Sequence, residues 1–365
     1  MKKLTRRAVR FKGLTLGLDL HKQFIEWCVL DRAGDEVAGG RISSTREGLE
    51  RLCVKLAGRP LQVCMEACGC FVWVFDFFKA KLGKAAVHVA QPSRVHVIAN
   101  SMEKNDANDA WWLAYLLYEG RLPEAYVVEG TMRDLRIATR ELRAYTEERS
   151  DLLRRFKSHL AQAGVAIAKN WHASGKGRQG AREKIAAISG ERKNALERLL
   201  KRIKRLGRAV AYWRERMVAL SASFPLVKTL SEELPGFGPQ TAAIVLAELN
   251  EPSKYHSAKA YAKATGLTPG SRESGGKSQA VGITRAGSRH ARWAFTRAVI
   301  ACLRCKGGVG AQIRQWVTER TRYKPKRKVI VAAARKLAEG VWRLLSLGEV
   351  FELQRAFPVK VAIAK

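Results

Sequence analysis

The stretch Leu14-Thr15-Leu16-Gly17-Leu18-Asp19-Leu20 decides how the chain is read. An apolar run of this length with turn-forming residues beyond it reads as a buried strand. The single acid, Asp19, is costly there unless it is paired or holds a cation. Outward from this run, Phe24–Leu30 reads as a second strand. Arg32-Ala33-Gly34-Asp35 is a turn into a third near Glu36–Ile42. A helix opens at Thr45 and runs to Leu56, Leu61–Met65 is a short strand, and Phe71–Leu82 is a helix. Ala86–Val89 is another strand and Asp106–Tyr118 an aromatic-rich helix. Three strands in meander order followed by alternating helix and strand predict a mixed α/β sheet.

Two further acidic sites belong to this block. Glu66 follows directly on the strand 61–65, and Lys104-Asn105-Asp106-Ala107-Asn108-Asp109 opens a helix with Asp106 and Asp109 three apart on one face. Hard divalent cations such as Mg²⁺ take carboxylate oxygens and bridge to phosphate, and two such ions can clamp a phosphodiester. Taken singly, Asp106 serves equally as a helix N-cap, Asp109 as a first-turn acid, and Glu66 as a cap of the next helix. The four together, in a very basic protein, favour metal. Neither a GxGxxG nor a P-loop occurs, and the further glycine-rich loops of a sugar-kinase-like ATPase are missing from the first 120 residues.

The charge balance points to the partner. Across 365 residues, Lys and Arg number 67 against 33 Asp and Glu, a formal net charge of +34. Residues 1–120 carry 18 basic and 13 acidic side chains, residues 121–222 carry 24 and 11, and residues 223–365 carry 25 and 9. The excess lies in the last two thirds, which predicts a phosphate-neutralising surface there and binding that weakens as salt rises. No long uncharged apolar stretch predicts a membrane span, and none follows the basic start as a signal peptide requires. Seven cysteines do not make a disulfide scaffold. Cys302-x-x-Cys305 and the group Cys64, Cys68 and Cys70 raise a zinc site only weakly, since all five also serve as small buried hydrophobes. His21, beside Asp19, stands close to the acidic centre in sequence.

From Met132 to Lys169 the pattern is helical, Asn170–Gly180 reads as a loop or hairpin tip, and residues 182–222 resume helix. The prediction is a long antiparallel hairpin or coiled coil, acting either as a charged spacer or as a nucleic-acid contact. Leu234-Pro235-Gly236-Phe237-Gly238-Pro239 has the form of a helix–hairpin–helix turn. Residues 265–278 read as a polar, glycine-rich loop before a basic helix, Arg285–Cys305. A serine of this loop is a possible nucleophile, with Arg272, Lys277, Arg285, Arg289 and Arg292 to hold phosphate oxygens; a flexible surface loop is the plainer alternative. Trp293, Trp316 and Trp342 read as core.

These segments together resemble the DEDD transposases of the insertion sequence 110 family. The resemblance rests on Gly17-Leu18-Asp19-Leu20-His21-Lys22, Met65-Glu66-Ala67-Cys68-Gly69 and Lys104-Asn105-Asp106-x-x-Asp109-Ala110. It continues through Leu234-Pro235-Gly236-x-Gly238-Pro239, Gly266-Leu267-Thr268-Pro269, Ser274-Gly275-Gly276-Lys277 and Arg335-Lys336-Leu337. Cys68 and Asn105 stand where threonine is usual, and neither change removes a ligand. The resemblance implies an RNase H-like (RuvC-like) catalytic domain over residues 1–125 and a helical coiled-coil linker over 126–225. A C-terminal transposase domain over 226–350 and a tail over 351–365 complete it. It further implies Asp19, Glu66, Asp106 and Asp109 as a Mg²⁺-binding tetrad and Ser274, rather than Ser271, as the nucleophile. Implied partners are donor and target DNA, a structured noncoding bridge RNA and further copies of the chain, in the bacterial cytoplasm at the nucleoid.

Overall fold

The computed structural model describes residues 11–92, 94, 95, 106–250, 252–274, 277–284 and 286–359, with 106, 107, 271–274 and 277–281 described in their backbone alone. The chain forms two compact units, Met1–Val127 and Val128–Lys365.

The first unit is built on one sheet. Its strands are β1 (Leu14–Leu20), β2 (Phe24–Leu30), β3 (Glu36–Ser43), β4 (Leu61–Glu66) and β5 (Val87–Ala90), in the order β3-β2-β1-β4-β5. The meander β1–β2–β3 is antiparallel, whereas β4 runs parallel to β1 and β5 parallel to β4. That is the mixed sheet the sequence predicts. The central position of β1 explains its apolar composition, because helices cover both faces of it.

On one face lie α1 (Arg46–Lys55) and α2 (Phe71–Leu82), whose Leu49, Leu52, Val74, Phe75 and Phe78 bury Leu14, Leu16, Leu18, Val63 and Met65. Thr45 starts α1 by accepting the Gly48 N–H at 3.1 Å. On the other face α3 (Asp106–Tyr118) packs Ala110, Leu113, Ala114 and Leu117 against Cys28, Leu30 and Cys64. Small residues let α3 approach closely. A Cβ on Gly17 would lie 2.1 Å from the Ala110 carbonyl oxygen and 2.7 Å from the Ala114 nitrogen.

The second unit is mostly helical. Its long helices α4 (Gly130–Gln162) and α6 (Gly190–Ser221) flank the shorter α5 (Gly175–Ala186). Leu152, Phe156 and Leu160 of α4 meet Leu196, Leu199, Ile203 and Leu206 of α6 in one apolar cluster, while Leu135, Ala138, Leu142, Val210 and Met217 join a second. The two helices are therefore antiparallel partners. Residues 175–180, expected from sequence to lie in a loop or hairpin tip, open α5 instead. Ser174 caps α5 by accepting the Gly177 N–H at 3.0 Å, and burial of Ala181 and Ile185 outweighs three glycines. The second long helix is accordingly interrupted at residues 187–189.

Around the second cluster pack α7 (Pro225–Glu233), α8 (Pro239–Leu249), α9 (Ala258–Ala264), α10 (Arg289–Cys302), α11 (Gly308–Thr321) and α12 (Lys326–Leu347), with the short α13 (Leu353–Ala356). The α7–α8 turn has the anticipated hairpin form. Gly236 takes φ +76° there, and a Cβ on it would meet the Ala298 carbonyl oxygen at 2.2 Å. Trp316 is buried, while Trp342 donates its indole N–H to the carbonyls of Pro252 and Tyr255. The segment read as a loop is a β-hairpin, β6 (Pro269–Ser274) with β7 (Lys277–Ile283). Glycine and serine content hid its extended pairing from the sequence reading. Among the described residues no helix is long and apolar enough to cross a membrane.

Candidate functional site

Strand register decides which acids meet. Gly17 pairs with Cys28 on one side and Cys64 on the other, and both cysteines lie under α3. Side chains repeat every second residue along a strand. Asp19, two residues past Gly17, and Glu66, two past Cys64, therefore share the α3 face at the ends of adjacent parallel strands. Glu26, the cross-strand partner of Asp19, lies on the same face.

The direction of α3 completes this edge. Ala110 and Ala114 cross Gly17, and Tyr118 in the last turn donates its hydroxyl to the Ala33 carbonyl at 2.9 Å, in the turn after β2. That turn lies at the start of β1, so α3 runs antiparallel to it and begins at the end where β1 and β4 finish. Asp109 and the backbone of Asp106 belong to this first turn. The structure thus brings Asp19, Glu66, Asp109 and the Asp106 main chain to one end of the sheet; the Asp106 side chain lies outside the described residues.

Neighbouring side chains already engage two of these carboxylates. The Asp19 side chain, 17% exposed, accepts from His21 Nε2 at 2.9 Å, and the His21 ring stacks on Phe24 with centroids 4.4 Å apart. Glu26 Oε1 accepts from Arg41 Nε at 2.6 Å, with that guanidinium 4.0 Å over the Phe24 ring. The alternation of Phe24–Leu30 held the signal for Glu26, an acid within an apolar strand, and the sequence reading passed over it. The Cys70 thiol is pushed up to about 11 by burial, then by Cys68 and Asp19.

The donors are all oxygen, which suits a hard divalent cation better than zinc. Among the described residues no group of three or more His, Cys, Asp or Glu side chains is gathered to hold an ion, around the acids or around the cysteines. The fit at the strand ends is one of donor chemistry.

In the second unit, Ser274 is the last residue of β6 and pairs with Lys277 of β7, while Ser271 pairs with Ala280. The side chains of Ser274, Ser271, Arg272 and Lys277 and the whole of Arg285 lie outside the described residues. Arg289 and Arg292 stand in the first turn of α10. Arg289 is exposed, whereas Arg292 donates to the Thr265 carbonyl at 3.1 Å and ties the helix to the chain before the hairpin. Ser288 caps the helix through the Ala291 N–H at 3.1 Å and donates its hydroxyl to Glu248 at 2.8 Å. Arg143 reaches the same end from α4, 4.8 Å over the Trp293 ring. Arg143 and the Glu248 anchor were not anticipated from sequence, because both depend on tertiary contacts, Arg143 with Trp293 150 residues on and Glu248 with Ser288 40 residues on.

Comparison with known proteins agrees with this layout. Residues 16–165 match a family model described as a transposase, of the DEDD IS110 type, and residues 228–314 match the transposase IS116/IS110/IS902 family. The chain is 30% identical over 138 residues to a putative transposase, y4pF/y4sB, of Sinorhizobium fredii, covering 38% of the chain and 35% of that relative. It also aligns over 35% of the transposase for insertion sequence element IS1328 of Yersinia enterocolitica, so it spans about a third of these two relatives. Longer alignments join it at 23% identity to the transposase for insertion sequence element IS1111A of Coxiella burnetii, over 92% of the chain and 90% of the relative. A probable family 20 transposase of Pseudomonas aeruginosa aligns at 24%, over 91% and 96%. With an acid-bearing mixed sheet in the first matched segment and a helical unit with its hairpin in the second, the chain belongs to the IS110 family of transposases.

Proposed function

We propose that the protein is a DNA transposase that cuts and rejoins donor and target DNA, with a RuvC-like first unit whose acids Asp19, Glu66, Asp106 and Asp109 bind Mg²⁺. The observation that carries this reading is the convergence of two strand-end carboxylates with the first turn of α3. A divalent ion held there would offset charge developing on a phosphodiester. His21, bonded to Asp19, orients that carboxylate. Glu26 is neutralised by Arg41 and adds no free charge to the edge.

Ser274 is proposed as the nucleophile. Its Oγ attacks phosphorus, the bond to one deoxyribose oxygen breaks, and that oxygen leaves as a hydroxyl after gaining a proton. The serine–phosphorus bond conserves the phosphodiester energy for rejoining, when a deoxyribose hydroxyl attacks and the serine recovers its proton. Arg272, Lys277, Arg285, Arg289 and Arg292 are proposed to hold backbone phosphates. A bridge RNA paired to both DNAs supplies sequence choice, and the chain works as an oligomer.

The test is a trap for covalent protein–DNA adducts on DNA carrying the element ends. Ser274→Ala should abolish adducts and strand exchange while nucleic-acid binding survives, and Ser271→Ala should be much milder. Adducts that persist in Ser274→Ala and vanish in Ser271→Ala would move the nucleophile to Ser271. Strand cleavage by the unmodified protein with no adduct would favour a metal-dependent junction nuclease.

A further inference from the structure

Between β4 and α2, directly past Glu66, the run Ala67-Cys68-Gly69-Cys70 makes a tight turn whose side chains the cleavage chemistry does not use. The Cys68 N–H donates back to the Glu66 carbonyl at 2.8 Å, and the Ala67 N–H holds the Ala90 carbonyl at 3.0 Å. Folding back in this way brings the Cys68 and Cys70 sulfurs to 3.4 Å. Each sulfur also lies 3.9 Å from the carbonyl oxygen of Leu20, the residue after Asp19. Both cysteines are half-buried, and Gly69 between them is exposed with open space around it. Cys28, Cys64 and Cys302 are buried.

We propose that Cys68 and Cys70 close into a reversible disulfide, which makes this turn a thiol-modification site beside the acidic edge. A disulfide holds its sulfurs at about 2.05 Å, so roughly 1.4 Å remains to be closed from the observed 3.4 Å. Gly69 supplies the backbone freedom for that movement. The oxidant class is a small-molecule disulfide such as oxidised glutathione. One cysteine thiolate attacks it, forms a mixed disulfide and expels one glutathione thiolate. The other cysteine then attacks its neighbour's sulfur and expels the second. The two cysteine protons end on the two glutathiones, and the two electrons lost by the cysteines reduce the oxidant.

Closure draws both sulfurs away from the Leu20 carbonyl and tightens the turn that begins at Glu66. The ends of β1 and β4 shift together. This consequence for cation binding rests on the proposed metal role of Asp19 and Glu66; the disulfide itself does not.

The experiment equilibrates the full-length reduced protein in glutathione buffers from reducing to oxidising. Peptide mapping after alkylation reads the thiols, and electron paramagnetic resonance reads Mn²⁺ binding. The expected result is a Cys68–Cys70 bridge that dithiothreitol reverses, with Cys28, Cys64 and Cys302 still thiols. Mn²⁺ affinity should fall roughly tenfold on oxidation, and a Cys68→Ser/Cys70→Ser double variant should keep one affinity in every buffer. Free thiols, or two separate glutathione adducts, in excess oxidised glutathione would overturn the proposal. A bridge with unchanged Mn²⁺ affinity would overturn the coupling to the strand ends. Absence of Mn²⁺ binding to the reduced protein would count against the metal reading instead, with the mass spectrum still judging the disulfide.

Discussion

Glu248 joins three segments of the second unit. Its side chain is 3% exposed and accepts from Arg140 Nε at 2.7 Å and Nη2 at 3.0 Å, while Ser288 supplies the hydroxyl that also caps α10. Burial alone would push this carboxyl up, but Arg140, Ser288 and Arg136 outweigh it and hold it below the usual carboxylate range. A carboxyl held low in the fold contributes stability that is fully present above the unfolded value. That contribution is lost as pH falls through the folded one. Glu248→Gln should therefore unfold roughly 1–3 kcal/mol more easily at neutral pH, and the gap should narrow below about pH 4.3. Thermal or denaturant melts of both proteins across pH check this, and equal stability at neutral pH would contradict it. Asp19, Glu66, Asp106 and Asp109 were legible in sequence because they interrupt an apolar run, follow directly on one, or open a helix. Glu248 was not, since it sits in an ordinary helical stretch and gains its role only from Arg140 and Ser288.

At the level of elements, the contact of α3 with β1 sets the geometry of the acidic edge. Ala110 and Ala114 lie directly on Gly17, which any side chain would push away. Gly17→Ala should cost about 3 kcal/mol or more, because both neighbours are backbone atoms that cannot rotate aside. It should also reduce cation binding by separating the Asp106–Asp109 turn from the strand ends. Hydrogen exchange over α3 would report the loosening, and unchanged protection there would contradict this account of the contact. Runs such as Leu14–Leu20, Phe71–Leu82 and Asp106–Tyr118 were readable because periodicity and boundary residues agree. Two elements were not. In α5 a serine cap and two buried contacts override glycine, and in β6–β7 cross-strand pairing orders a stretch whose composition favours a loop.

For the molecule as a whole, a formal charge of +34 favours a polyanionic partner. Affinity for nonspecific duplex DNA should fall linearly on a log–log plot against salt, with a slope steeper than about −4 as counterions are released. Fluorescence anisotropy at several salt concentrations measures that slope, and a flat line would mean the charge answers to something other than phosphate. The central claim is narrower: the acids at the ends of β1 and β4 drive DNA strand cleavage. Its most direct test is cleavage of DNA carrying the element ends in Mg²⁺ by Asp19→Asn and Glu66→Gln, with DNA binding measured on the same preparations. The account predicts a loss of at least about 100-fold in cleavage for each variant, with binding within about twofold of the unaltered protein, as expected when phosphate contacts lie elsewhere. Cleavage at the unaltered rate by either variant would contradict it.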